Sequence, residues 1–96
     1  MDFLFEWDHN KAEANFRKHG VEFEEAMTVF ADPLAYIILD ELHSAAEIRE
    51  IIIGHSSDLR LLFVGFTQRT EDRIRIFSAR EATKKERRDY EENANF

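Results

Sequence analysis

Cysteine is absent from the chain, so neither disulfides nor thiolate metal sites can hold its fold together, and a reducing compartment suits it. Glycine is scarce, with three in 96 residues, and none falls in a GxGxxG, Walker or GxSxG pattern. Dinucleotide and nucleotide-hydrolysis chemistry therefore has no phosphate-cradling loop to work with. No apolar run approaches the roughly 20 residues that span a bilayer. The opening Met1-Asp2-Phe3-Leu4-Phe5-Glu6 is too short and too acidic for a signal peptide. A cytoplasmic protein without membrane contact is the expectation. Repeats and low-complexity stretches are also missing. A chain this short cannot bury two independent cores, so residues 1–96 are expected to form one domain. His9, His19, His43 and His55 are scattered, with no HExxH and no paired spacing, so neither a metal centre nor another cofactor is expected. Ser56 and Ser57 adjoin His55, but sequence adjacency is not a nucleophile–base geometry, and they read as turn residues.

What is present is apolar bulk and an uneven charge. Hydrophobic residues make up 44% of the chain, nine of them Phe, enough for a compact core. The net charge of −7 runs against the basic footprint usual in nucleic-acid binding. Yet the stretch Arg69–Arg88 carries eight basic and four acidic residues, while the first 68 residues carry five basic and thirteen acidic. A basic strip on an acidic body can still hold phosphates, because a Debye length of about 8 Å isolates distant charges.

Periodicity predicts an α+β domain. Phe3 to Trp7 suits a strand. Asp8 stands as N-cap to a helix over Asn10–His19, with Ala12, Phe16 and His19 on one face and Gly20 ending it. Phe23, Ala26, Met27 and Phe30 form the stripe of a second helix, which Asp32-Pro33 terminates. Strands are predicted over Leu34–Leu39, Arg49–Gly54 (with three consecutive isoleucines, buried on both faces), Leu61–Thr67 and Asp72–Ser78. The short turns between the last three imply an antiparallel meander. In the last strand Ile74 and Ile76 alternate with Arg73 and Arg75, isoleucines on one face and arginines on the other. Thr83-Lys84-Lys85-Glu86 is a capping box opening a final, highly polar helix whose apolar residues are Ala82, Tyr90 and Phe96.

The candidate chemistry gathers at Arg73, Arg75, Ser78 and Arg80. Guanidinium groups match phosphate oxygens in a bidentate way that lysine does not imitate. Cleaving RNA without a metal requires deprotonating a 2′-hydroxyl, stabilising the pentavalent phosphate and protonating the leaving 5′-oxygen. Arginines meet the second need; His43, Glu47, Glu86 and Tyr90 are the candidates for the others. The alternative is that Arg73 and Arg75 pair with Glu47 or Glu50 on neighbouring strands, a common arrangement contributing about 0.2–1 kcal/mol.

The ordered set of motifs resembles the BrnT toxins of type II toxin–antitoxin systems over nearly the whole chain. It runs from Phe5-Glu6-Trp7-Asp8, Lys11, Asn15 and Lys18-His19-Gly20-Val21 through Phe23-Glu24-Glu25-Ala26, Val29-Phe30 and Asp32-Pro33-Leu34. His43-Ser44, Glu47, Arg49, Ile53-Gly54 and Ser56 follow, then Arg73-Ile74-Arg75-Ile76, Ser78-Ala79-Arg80, Ala82-Thr83, Glu86 and Tyr90-Glu91. The resemblance implies a RelE-like fold, with two N-terminal helices and one C-terminal helix on a small antiparallel sheet. It implies a metal-independent endoribonuclease that cleaves mRNA and arrests translation. It also implies a BrnA-like antitoxin partner with a dimeric, DNA-binding half. In that setting Arg75 and Arg80 would stabilise the scissile phosphate, with His43, Glu47 or Tyr90 moving the proton. Arg73, Ser78, Lys84 and Lys85 would bind the RNA. A degenerate toxin that only tethers an antitoxin and tunes repression is the competing expectation, motivated by the acidic net charge.

Overall fold

The protein is represented by a computed structural model that describes residues 3–94; Met1, Asp2, Asn95 and Phe96, the last of these the predicted apolar end of the final helix, lie outside the described residues. In chain order the elements are β1 (Leu4–Glu6), α1 (His9–His19), α2 (Phe23–Ala26) running into a 3-10 turn (Met27–Ala31), β2 (Tyr36–Leu39), a 3-10 turn (Glu41–His43), β3 (Glu50–His55), β4 (Leu61–Gln68), β5 (Arg73–Glu81) and α3 (Lys84–Asn93). The five strands form one sheet in the order β1-β5-β4-β3-β2. Strands β2 to β5 are antiparallel neighbours, as the short turns predict for β3, β4 and β5. The sheet as a whole is mixed and not purely antiparallel, because β1 pairs parallel with β5, placing Leu4, Phe5 and Glu6 opposite Arg73, Ile74 and Arg75. A three-residue strand at the chain start carries no turn signal naming its neighbour, so that pairing is decided by tertiary packing alone.

Helix α1 has the predicted N-cap and begins one residue before the predicted Asn10. The Asp8 carboxylate accepts from the backbone N–H of Asn10 and Lys11, and Gly20 closes the helix at φ 69°. Its inward face differs from the predicted stripe: Phe16 is exposed, and Asn15 is the buried residue. The reason lies in β5. Beyond Arg75 that strand has no β1 partner, and Asn15 replaces one, donating from Nδ2 to the carbonyls of Val21 and Ala79 and accepting from the Ala79 N–H. A buried strand edge must find partners, and a side-chain amide offers both donor and acceptor. The second predicted helix holds α geometry for four residues and then tightens to 3-10, with Phe23, Ala26 and Val29 buried.

The sheet separates two environments. On one face α1, α2 and the first 3-10 turn cover Ile52, Leu62, Val64, Phe66, Ile74, Ile76 and Ala79, sealed further by Phe5, Trp7 and Phe30. The other face carries Arg73, Arg75, Thr67, Gly65, Phe63, Ile51 and Ile53 according to the strand register. Helix α3 covers only one end of that face, where Tyr90 packs with Ile51, Ile53 and Leu61. Its capping box is formed as predicted, Thr83 Oγ1 accepting from Glu86 N–H and the Glu86 carboxylate from Thr83 N–H. Strand β5 runs three residues further than predicted and contains a bulge: Gly65 pairs with Ser78 but Phe66 with Ile76, leaving Phe77 as the extra residue.

Candidate functional site

The uncovered end of the second face is a groove of about 450 Å³, lined among others by Lys11, His43, Arg49, Gly65, Phe77 and Ser78. Gly65 forms its floor, and a Cβ there would lie 2.7 Å from Ser78 Oγ. The Arg49 guanidinium lies over the Phe77 ring, with Cζ 3.8 Å from the centroid, and Lys11 Nζ is 5.6 Å from the same ring. Both are cation–π distances. On the groove wall, His43 Nδ1 is 2.9 and 3.1 Å from the two Asp40 carboxylate oxygens. A carboxylate can only accept, so this contact selects the Nδ1–H tautomer and leaves Nε2 as an acceptor. The imidazole is well exposed and its carboxylate partner mostly buried, an arrangement that orients a proton acceptor toward solvent.

The arginines of β5 stand on this face as predicted, but each is held by a carboxylate. Arg75 donates to Glu6 at 2.9 Å and Arg73 to the other oxygen of Glu6 at 3.3 Å, while Arg69 lies 3.8 Å away. The Arg75 guanidinium is the main cause that keeps the Glu6 carboxyl below its ordinary range. Arg80 makes a bidentate pair with Glu86 at 2.8 and 2.9 Å and stacks on Phe63 at 4.0 Å. That hydrogen bonding lowers the Glu86 carboxyl and raises Arg80. The predicted cross-strand partners were Glu47 and Glu50. Glu6 takes that role because the parallel β1 lies beside β5, whereas Glu47 contacts Arg49 and Arg69. All three arginines remain partly open to solvent, Arg73 at 47%, Arg80 at 34% and Arg75 at 28%. A phosphate could thus exchange with the carboxylates, since partly exposed ion pairs contribute little.

The structure brings His43 and Ser78 into one groove and sets Arg73, Arg75 and Arg80 along the same sheet face. Lys84 and Lys85 are exposed in the first turn of α3, Lys85 paired with Asp89 at 3.1 Å. Tyr90 lies elsewhere. It is 1% exposed, donates its hydroxyl to Asp32 at 2.8 Å and meets His55 Nδ1 at 3.2 Å. Burial, reinforced by that Asp32 contact, pushes its hydroxyl up to about 12. Lys11, Asp40, Arg49 and Phe77 were not singled out as site residues by sequence reasoning. The i, i+3 spacing of Asp40 and His43 was a usable signal; the bulge that turns Phe77 into the groove had none.

Among the described residues, no group of three or more His, Asp or Glu side chains is placed to hold a metal ion. A family model described as the ribonuclease toxin, BrnT, of type II toxin–antitoxin systems matches residues 7–86. Among solved structures, the 1.1 Å crystal structure of the Brucella abortus ribonuclease toxin, BrnT, is similar at a TM-score of 0.64, covering 88% of this chain and 99% of that one at 22% identity. At that identity the likeness speaks to the fold. No curated protein matches the sequence.

Proposed function

The chain belongs to the BrnT family of ribonuclease toxins of type II toxin–antitoxin systems, and from that premise we propose that it is a metal-independent endoribonuclease that cleaves mRNA and so inhibits translation. The observation that carries this reading is an Asp40-oriented imidazole in a groove on the same sheet face that carries Arg75 and Arg80. His43 Nε2 takes the proton of a 2′-hydroxyl, and the freed oxygen attacks phosphorus. Arg75 and Arg80 exchange their carboxylate partners for the phosphate oxygens as charge builds there. The 5′-oxygen departs and takes a proton from water, leaving a 2′,3′-cyclic phosphate on one product and a 5′-hydroxyl on the other. Arg73, Ser78, Lys84 and Lys85 hold the flanking backbone. Glu47 contacts Arg49 and Arg69, Glu86 is paired with Arg80, and buried Tyr90 supports the fold, so His43 carries the proton transfer in this reading.

A type II toxin implies an antitoxin. We read that partner as BrnA-like, dimeric and DNA-binding, and the fold as RelE-like and working in the cytoplasm. The test is to induce the chain alone in a bacterium beside an Arg75→Ala/Arg80→Ala double variant whose folding is confirmed by circular dichroism. Growth arrest by the parent, relieved in the double variant and by coexpression of a BrnA-like antitoxin, is the expected result. Equal growth in both cultures, with purified protein leaving RNA intact, would return the chain to the class of non-catalytic antitoxin-binding modules.

A further inference from the structure

The geometry points to a nucleobase-binding site in the groove: the Arg49 guanidinium seated on the Phe77 ring is a platform on which one base of a single-stranded RNA stacks, next to the bond that is cut. This inference rests on reading the groove as the ribonuclease site.

Phe77 is the motivating residue. It is the bulged residue of β5 and belongs to neither of the two buried clusters, although the chain buries most of its large aromatics in them. Its ring instead carries Arg49 at 3.8 Å and Lys11 at 5.6 Å. The ring lies beneath the Arg49 fork, and Glu47 is 3.5 Å from its Nη2. Proteins that read unpaired RNA use aromatic rings and arginine planes as such surfaces, because a base offers a π-face whatever its identity. Arg49 and Phe77 both line the groove of about 450 Å³.

The floor and rim supply the rest. The absence of a side chain at Gly65 lets Ser78 Oγ come within 2.7 Å of where a Cβ would lie. Ser78 and His43 offer hydrogen-bonding groups to a base edge or a ribose, and Lys11 offers a cation to the adjoining phosphate. Because His43 shares the groove, the stacked base must flank the scissile phosphate. Arg49 and Phe77 are therefore positioning and specificity residues, distinct from the group that moves the proton.

The test maps cleavage ends on a mixed-sequence RNA and measures binding of a labelled oligoribonucleotide by fluorescence anisotropy. Parent protein is compared with Phe77→Ala, Phe77→Trp, Arg49→Ala and Arg49→Lys, each verified as folded. Phe77→Ala is expected to lower kcat/KM by about ten- to a hundredfold, the loss typical of one stacking platform, and to flatten the base preference beside the cut. Phe77→Trp should keep both. Arg49→Lys retains the charge without the plane and should resemble Arg49→Ala. Parent-like cleavage and preference in Phe77→Ala, or parent-like behaviour of Arg49→Lys, would overturn the platform. If the parent cuts no RNA, the ribonuclease reading fails separately. The platform then stands only if the parent binds the oligoribonucleotide and Phe77→Ala loses that binding; equal binding by both would overturn it as well.

Discussion

Gly54 on β3 and Gly65 on β4 lie on adjacent strands and face opposite sides of the sheet, and they show how differently the two sides are built. A Cβ on Gly54 would meet the Ala35 Cβ at 2.7 Å, Asp32 Oδ2 at 3.0 Å and Val29 Cγ1 at 3.1 Å. Two of those atoms are fixed close to backbone, and Asp32 is tied to the His55 N–H and the Tyr90 hydroxyl. A Cβ on Gly65 would meet only the Ser78 side chain, whose hydroxyl can turn away. One side is closely packed at Gly54, and the other leaves Gly65 with a single movable side-chain contact.

The largest expected effect breaks the comparison directly. Gly54→Ala overpacks a closed site and should cost about 2–3 kcal/mol, lowering the Tm by more than about 8 °C in a domain of this size. Gly65→Ala should change stability by less than about 1 kcal/mol while reducing RNA cleavage severalfold, because it fills the groove floor. Thermal melts and cleavage rates of the two variants check this. Comparable Tm losses from both would show that the two faces are equally tight and that the groove is not an open site.

These differences were legible in the sequence only in part. The Ile–Arg alternation of β5 follows from a period of two within one strand, and Asp8, Gly20 and the Thr83/Glu86 box are local signals, so each was readable before any fold was known. Three features were not. The parallel pairing of β1 with β5 joins the two ends of the chain, and with it came the identity of the carboxylate that grips Arg73 and Arg75. The bulge at Phe77 depends on register against β4. The burial of Asn15 in place of Phe16 depends on β5 having an unpaired edge to satisfy. In each case the deciding partner is 60 or more residues distant, where no short-range pattern reaches, or is the register itself.

A smaller effect separates the two ends of the second face. The end under α3 is sealed: Asp32 accepts from Tyr90, from His55 N–H and from Leu34 N–H, and these contacts outweigh burial to keep its carboxyl low. Tyr90, pushed up to about 12 from an ordinary 10.0, stays protonated in the folded protein where the unfolded chain would ionise. A raised folded value means its contribution is complete below pH 10 and is lost as pH rises toward 12. Melting temperature should therefore fall across that window, and the fall should be shallower in Tyr90→Phe. Tyr36, raised by its burial and then by the charges of Asp89 and Glu86, should ionise late as well. Ultraviolet absorbance of tyrosinate, followed together with circular dichroism, reports both. A full tyrosinate signal at pH 10 with the fold intact would mean that α3 does not seal this end.

The smallest expected change in stability, at the open end, is Glu6→Gln. Glu6 is bonded to Arg75 and Arg73 and lies near Arg69, yet it is partly exposed, and ion pairs of that kind are screened and weakly stabilising. The Tm should hardly move. What should move is the response to RNA. With the carboxylate neutralised, the arginines no longer have to give up a charged partner to meet phosphate, and the face gains one unit of positive charge. Affinity for a short oligoribonucleotide should rise a few-fold, with a steeper dependence on salt. If affinity falls instead, Glu6 is aligning the guanidinium groups for the substrate and not competing with it, and the open face is as preorganised as the sealed one.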